Sequence, residues 1–197
     1  MAEASFAGND TIRTTYRSHT LGVNCENLLF TGKGNFTGTG NVLNNIIFGG
    51  AGNDILNGGA GDDLLSEGTG NNTLIGGTGN DTVYGGLLAD SIDGGAGNDQ
   101  MAGRSGNDIY RVDSVGDVVS EAVAEGIDWI RSVLSYYTLG VNVENLSFAG
   151  AGNFSGTGNA LNNALTSGIG NDLLSGMAGN DSIHGGAGLD LSLIHIS

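Results

Sequence analysis

Proline is absent from this chain of 197 residues, cysteine occurs once, and aromatic residues account for only 6%. With Cys25 alone no internal disulfide can form, and so few aromatic side chains argue against a thick globular core. Basic residues are scarce, six against 21 acids, so the net charge of −15 disfavours nucleic acid and anionic membranes and favours cations as partners. No apolar run is long enough for a transmembrane helix, and no signal peptide is recognisable.

Glycine is abundant instead, at 38 residues, and much of it falls in a nine-residue repeat from Gly49 to Arg111. The seven consecutive units are GGAGNDILN, GGAGDDLLS, EGTGNNTLI, GGTGNDTVY, GGLLADSID, GGAGNDQMA and GRSGNDIYR. Position 8 of each unit is large and mostly apolar: Leu56, Leu65, Leu74, Val83, Ile92, Met101 and Tyr110. One such unit cannot bury its own apolar face, so the period predicts a solenoid.

The glycines at positions 1, 2 and 4 indicate how each unit folds. They permit positive φ and close backbone packing, so the first six residues are expected to form a tight turn. The last three residues then form a short strand, with position 8 in the core and positions 7 and 9 outside. Successive strands lie on opposite walls, so two units make one coil. Turns of units i and i+2 therefore stack about 4.8 Å apart.

This parity predicts which position-6 residues stack at the two edges of the roll. The first edge carries Asn45, Asp63, Asp81 and Asp99, and the second edge carries Asp54, Asn72, Asp90 and Asp108. Carboxylates this close repel unless a cation lies between them. Ca²⁺ accepts six to eight oxygen ligands, which two carboxylates and the backbone carbonyls of the glycine turns can supply. The pairs Asp63/Asp81 and Asp81/Asp99 are expected to bind best.

The second edge is expected to bind more weakly or with a gap, because Asn72 removes a charge and Leu88 replaces a position-4 glycine. The candidate metal residues are the position-6 aspartates and the position-2 and position-4 glycines of four units. They are Asp54, Asp63, Asp81, Asp90, Asp99, Asp108, Asp172, Asp181, Asp190, Gly50, Gly52, Gly59, Gly61, Gly77, Gly79, Gly95 and Gly97.

The seven units resemble the haemolysin-type (RTX) calcium-binding nonapeptide family, which has a serralysin-like β-roll. The resemblance implies an all-β fold, a right-handed parallel β-roll or β-solenoid, with Ca²⁺ as the cofactor. It also implies a region that stays unfolded in the cytosol, leaves through a type I exporter and folds on meeting calcium outside. The parent protein would then be extracellular or associated with the cell surface.

A longer repeat encloses the short one, because Ile12–Leu56 reappears as Ile130–Leu174 at an offset of 118 residues. Cys25 aligns with Val143, which predicts a buried apolar role for the cysteine. We divide the chain into a partial module (1–48), a first roll (49–111), a strand-rich linker with the second copy (112–162) and a truncated second roll (163–190). On this interpretation the chain is a fragment that begins part-way through a module.

In the second roll Asp172 is expected to stack with Asp190, and Asn163 with Asp181. Asn159, Asn162 and Asn163 are expected to form side-chain ladders without metal. The last segment, 191–197, resembles a translated sequencing adapter, and we interpret it as non-native; the alternative is a natural capping strand.

The linker carries three acids, Asp113, Asp117 and Glu121. One interpretation is a solvated loop, and the other is an extra calcium site at the end of the roll. Strands are expected on either side of this loop, from the alternating apolar residues of Ile109–Val112 and Trp129–Val133.

Motifs of catalysis are missing. The sequence has no HExxH, GxSxG, CxxC or phosphate loop ending in GK[ST], and His19, His184 and His195 lack a zinc-ligand spacing. From the nonapeptides and the family they resemble we expect a calcium-binding module of a secreted protein. From the missing motifs we expect no enzyme activity. Two alternatives remain: a metal-independent solenoid of a surface adhesin, against which nine aspartates at position 6 weigh, and the non-catalytic C-terminal part of a secreted hydrolase.

Overall fold

The computed structural model describes residues 8–194, which form 21 strands in three parallel sheets. The first wall is a seven-stranded sheet in the order β1 (Thr11–Thr14), β3 (Asn27–Phe30), β5 (Ile46–Phe48), β7 (Leu64–Ser66), β9 (Thr82–Leu87), β11 (Gln100–Ser105) and β13 (Val118–Val119). The all-β parallel roll expected from the nonapeptides is therefore the fold of the described chain.

The opposite wall is a ten-stranded sheet. Its order is β2 (Ser18–Thr20), β4 (Thr37–Thr39), β6 (Ile55–Ala60), β8 (Thr73–Thr78), β10 (Ser91–Ala96), β12 (Ile109–Val112), β14 (Trp129–Ser132), β16 (Asn145–Phe148), β18 (Ala164–Thr166) and β20 (Ser182–His184). The third sheet has β15 (Tyr136–Thr138), β17 (Ser155–Thr157), β19 (Leu173–Met177) and β21 (Leu191–Ile194).

Register within each wall follows the predicted parity. Ile55 of β6 pairs with Thr73 of β8, one coil of 18 residues later, and Leu64 of β7 pairs with Thr82 of β9. Five strands of the first roll, β6 and β8 to β11, have six residues instead of the three expected, whereas β7 has three. In β6 the strand continues through Gly58–Ala60, because the first glycines of the next turn extend the ladder, as Gly59 does by pairing with Gly77.

In the first roll each nonapeptide contributes the side chain of its position 8 to the core. All seven position-8 residues are buried with at most 2% of their surface exposed, whereas position-7 residues such as Ile55 face solvent. Two stacked aromatic pairs add bulk to the core outside the nonapeptides. Phe30 stacks on Phe36 with ring centroids 4.5 Å apart, and the equivalent pair in the second copy is 4.6 Å apart.

The two copies of the longer repeat fold alike but start on different walls. β1 belongs to the seven-stranded sheet, and its counterpart β14 belongs to the ten-stranded sheet. Val143 is buried as expected, whereas the aligned Cys25 is only partly buried and packs against the edge of the core. Val141, two residues before Val143, is 77% exposed.

The strand-rich linker joins the two rolls more closely than a linker between separate blocks would. The first wall ends at β13 and a new wall begins at β15, but the ten-stranded sheet runs without interruption through β12, β14 and β16. The two rolls therefore share one wall.

The described part of the tail, Leu191–Ile194, forms β21 beside β19, with all four side chains exposed. The non-native origin of this tail stays a prediction, and its last residues, 195–197 with His195, lie outside the described residues, as do residues 1–7. Within 8–194, no helix is long and apolar enough to cross a membrane.

Candidate metal centre

Position-6 side chains form hydrogen-bonded ladders along both edges. On the first edge the N–H of Asp63 donates to Oδ1 of Asp81 at 2.7 Å, and that of Asp81 donates to Oδ1 of Asp99 at 2.8 Å. On the second edge the N–H of Asp90 donates to Oδ1 of Asp108 at 2.7 Å. Each bond spans 18 residues, so the structure brings together the residues that the parity predicts.

The second carboxylate oxygen has no partner within the protein. Oδ2 is buried and accepts no hydrogen bond in a set of position-6 aspartates that spans both rolls: Asp54, Asp63, Asp81, Asp90, Asp99, Asp108, Asp172 and Asp181. A buried charged oxygen without a donor or counter-ion costs several kcal/mol, on the order of the penalty for an unpaired buried ion. These oxygens therefore need a cation or a proton.

On each edge the position-6 side chains form one column. The asparagines in these columns make hydrogen bonds that the aspartates lack. Nδ2 of Asn72 donates to the carbonyl oxygens of Gly70 at 3.2 Å and Gly85 at 3.4 Å. Nδ2 of Asn163 likewise donates to the carbonyl of Glu144 at 3.1 Å. An asparagine in the column places its Nδ2 beside the surrounding carbonyl oxygens and donates hydrogen bonds to them. An aspartate places Oδ2 there instead, which cannot donate when it is ionised.

Oxygens converge beside the position-1 glycines. A Cβ atom added to Gly58 would lie less than 3.0 Å from both Oδ2 of Asp63 and the carbonyl oxygen of Gly76. The same holds at Gly76, with Oδ2 of Asp81 and the carbonyl oxygen of Gly94. Only a residue without Cβ leaves this space open, so the position-1 glycine leaves room for a cation between these oxygen atoms.

The glycines predicted as metal residues all have positive φ, between 90° and 152°: Gly50, Gly52, Gly59, Gly61, Gly77, Gly79, Gly95 and Gly97. Their carbonyls face the next coil, as Gly59 O does towards Gly77, and so shape the turn. Ligation by these glycines stays a prediction. The carbonyls that approach Oδ2 belong to position 1, which the sequence interpretation did not single out.

Burial changes the acidity of the ladder. Desolvation raises the pKa of Asp63 to about 7 and those of Asp90, Asp99 and Asp108 to about 6, although the backbone N–H donors act in the opposite direction. The pKa of Asp81 is also raised by desolvation. A cation bound at Oδ2 would stabilise the ionised form that burial disfavours.

The second edge contains an acid that the repeat pattern does not predict. Glu67 occupies position 1 of its unit, is only 5% exposed, and has no hydrogen-bond partner at either carboxylate oxygen. Its carboxylate lies directly over Gly49, in the space that Oδ2 shares with a carbonyl elsewhere. Burial and the nearby Asp54 carboxylate raise the pKa of Glu67 to about 9. The sequence does carry a signal for Glu67, because its unit is the only one of the seven that begins with Glu instead of Gly.

Leu88 does not interrupt the second edge. It adopts φ of 71°, a left-handed conformation in place of the missing glycine, and the ladder bond from Asn72 to Asp90 forms at 2.7 Å. The expectation that this edge binds more weakly stays a prediction, and Glu67 supplies one carboxylate that the expectation did not include.

In the second roll, the N–H of Asn163 donates to Asp181 at 2.9 Å and that of Asp172 donates to Asp190 at 3.0 Å. Asp190 itself is exposed, since it lies in the last described coil. The side chain of Asn159 donates to the carbonyls of Gly140 and Val143, and Asn162 accepts from the N–H of Asn180, so the asparagines form the expected ladders between turns.

The ladders continue beyond the nonapeptides into the linker. On the first edge the N–H of Asp99 donates to Asp117 at 3.1 Å, and on the second edge that of Asp108 donates to Asp128 at 2.8 Å. The three linker acids therefore do not form one cluster: Asp117 extends the first edge, with Asp113 close to it, and Glu121 is buried against the second edge.

Stacked turns that present buried carboxylate and carbonyl oxygens define a cation-binding parallel β-solenoid, and such all-oxygen ligands suit a hard cation such as Ca²⁺. Residues 39–66, 68–87, 88–110 and 157–191 match the RTX calcium-binding nonapeptide repeat in four copies, together more than half of the chain. The chain belongs to this family and is a Ca²⁺-binding repeat module. No curated protein matches the chain.

Proposed function

We propose that this module belongs to a secreted protein and folds when Ca²⁺ binds outside the cell. The observation that carries the proposal is the row of buried Oδ2 atoms without partners on the position-6 aspartates. The asparagines of the same columns have donors of their own and need no ion. A metal-independent solenoid would be expected to use asparagine throughout, so the contrast favours the calcium-dependent alternative.

Folding without calcium is disfavoured by the shape of the core. Each nonapeptide of the first roll buries one large side chain, at position 8, while the unfolded chain gains the conformational freedom of 38 glycines. The stacked carboxylates add repulsion and desolvation to that cost. Residues that hold Ca²⁺ only when the turns are stacked convert the free energy of binding into free energy of folding.

Secretion is supported by the family, whose repeats are typically found in secreted proteins. It also agrees with folding that depends on calcium. A chain that remains unfolded at low cytosolic calcium can pass through a type I exporter and fold afterwards. The module itself contributes binding and structure, and we assign it no catalytic step. Any activity of the parent protein would come from other parts of it, such as a hydrolase domain.

A circular dichroism titration of the full chain with Ca²⁺, starting in chelator, tests this function, with Mg²⁺ as the control ion. We expect a cooperative gain of β signal with Ca²⁺ and little with Mg²⁺, which demands tighter octahedral geometry. A fully formed β signal in chelator at neutral pH would overturn calcium-dependent folding and favour the metal-independent solenoid.

A further inference from the structure

Three buried acids meet where the first roll joins the linker. Asp108 belongs to the last nonapeptide, and Glu121 and Asp128 follow it outside the matched repeats. One oxygen from each carboxylate lies within 4.8 Å of the other two, and none of the three residues is more than 9% exposed.

One oxygen of each acid is held in place by the protein. Oδ1 of Asp108 accepts from the N–H of Asp90, and Oδ1 of Asp128 accepts from the N–H of Asp108. Oε1 of Glu121 accepts from the Tyr110 hydroxyl and from the N–H of Gly103. Tyr110 is the last position-8 residue, and its hydroxyl reaches from the core to orient this glutamate.

The other oxygen of each acid has no partner. Oδ2 of Asp108, Oδ2 of Asp128 and Oε2 of Glu121 are buried and accept no hydrogen bond. No basic group compensates them, since the ion pairs of the described residues, 8–194, are those of Arg111 with Asp93 and Asp113. Three buried carboxylates with oxygens within 4.8 Å of one another would repel strongly in a site with little water.

The sequence departs from the repeat in a way that builds this cluster. Glu121 follows Gly103 by 18 residues and so occupies the register of a position-1 residue, where Glu67 stands three coils earlier on the same edge. Asp128 follows Asp108 by 20 residues instead of 18, so the linker turn is two residues longer. Glu121, like Glu67, therefore places a side chain where the other six nonapeptides have glycine.

We propose that Asp108, Glu121 and Asp128 form a binding site for a hard divalent cation, of the Ca²⁺ type, that fastens the linker turn to the last nonapeptide turn. This site rests on the proposed function, because it needs the same calcium that folds the roll. It corrects the grouping of Asp113, Asp117 and Glu121 suggested by the sequence: the site uses only Glu121 of those three.

Native mass spectrometry of the calcium-saturated full chain counts the bound ions and tests the site. Glu121→Gln and Asp128→Asn keep the oxygen that the backbone or Tyr110 holds and remove the charge at the unpartnered one. Each variant is expected to bind one ion fewer than the parent. The control is Asp93→Asn, which removes a carboxylate from the outer face of β10 and should leave the count unchanged.

Trp129 gives a second, local readout, since it is the only tryptophan and directly follows Asp128. Terbium emission excited through Trp129 is expected in the parent and in Asp93→Asn, with a clear loss in Glu121→Gln. A parent that binds no calcium would contradict the proposed function itself. A parent that binds several ions, with an unchanged count and unchanged emission in both site variants, would overturn this site alone.

Discussion

The N–H of Asp63 donates to Oδ1 of Asp81 at 2.7 Å, while Oδ2 of Asp81 is buried and has no donor. The two oxygens of one carboxylate therefore have separate roles. The first links two coils through a hydrogen bond. The second lies beside Gly76, as the carbonyl oxygen of Gly94 does. Asn72 shows that the first role does not need a charge, because its Oδ1 accepts the same ladder bond from Asp54 at 2.9 Å.

Substitutions of Asp81 should separate these two roles. Asp81→Asn keeps an acceptor for the N–H of Asp63 and removes only the charge, so we expect fewer bound ions and a higher calcium midpoint. Asp81→Ala also leaves that N–H unsatisfied, which costs about 1–3 kcal/mol more. Calcium titrations followed by circular dichroism measure both midpoints. A midpoint for Asp81→Ala equal to that of the parent would show that the first edge is wrongly assigned.

Asn72→Asp tests the same contrast in the opposite direction. The new carboxylate would replace the N–H groups that now donate to the carbonyls of Gly70 and Gly85. We expect one additional bound ion in calcium and lower stability in chelator, because a buried oxygen loses its donors. Native mass spectrometry and urea unfolding check the two effects.

The control for this variant is Asn80→Asp, at an exposed position-5 residue. It adds the same charge outside the column and should leave the ion count unchanged. An equal gain of ions in both variants would mean that net charge, and not the position-6 column, determines binding.

The sequence predicts the period, the two walls and the stacking of acids, because these depend on spacing alone. Leu56, Leu65 and Leu74 are buried as their position in the unit requires. Strand length was underestimated because a glycine pair is a weak strand signal, although a ladder between stacked turns can extend through it. The continuous ten-stranded wall was not predicted, since nothing local shows which wall the linker continues.

Glu67 and Asp128 were missed for a different reason. Glu67 departs from the repeat by its residue type at position 1, and Asp128 by a longer spacing. A prediction based on the consensus of the repeat interprets such a departure as the loss of a site. In the structure both are buried and leave carboxylate oxygens unpartnered. Whether such an acid meets the carboxylates of a neighbouring coil depends on its side-chain conformation, which the spacing of residues in the sequence does not determine.

Acid should partly replace calcium. In the folded chain burial raises the pKa of Asp63 to about 7 and those of Asp90, Asp99 and Asp108 to about 6, above the ordinary range of an aspartate. Groups with a raised pKa stabilise the fold fully below the unfolded value and lose that contribution as pH rises through the folded value. In chelator we therefore expect β structure to increase as pH falls from about 7 to about 4.

Circular dichroism in chelator across this pH range measures the effect, and the same series in saturating calcium is the comparison. With calcium present the gain on acidification should be small or reversed, because protons compete with the ion for the same oxygens. A steady loss of β signal in chelator between pH 7 and pH 4 would contradict the raised pKa values.

Glu67→Gln should affect the second edge near Asp54. The variant removes a buried carboxylate that lies over Gly49 and whose pKa is raised to about 9. In calcium we expect one bound ion fewer, and in chelator no loss of stability, since the buried group no longer has to take up a proton. Asp62→Asn, at an exposed acid of the neighbouring unit, is the matched control. Equal ion counts for Glu67→Gln and the parent would exclude Glu67 as a ligand.

Gly76→Ala tests whether position-1 glycine protects the space for the ion. The φ of Gly76 is not in the left-handed region, so alanine meets no backbone strain, but its Cβ would lie under 3.0 Å from Oδ2 of Asp81 and the carbonyl of Gly94. We expect a loss of about 1–3 kcal/mol from overpacking together with a loss of bound calcium. Gly168→Ala is the control, because a Cβ there meets nothing within 4 Å. Urea unfolding in saturating calcium should show Gly168→Ala close to the parent and Gly76→Ala well below it; equal stability of the two variants would mean that the space beside Gly76 can be filled without displacing the ion.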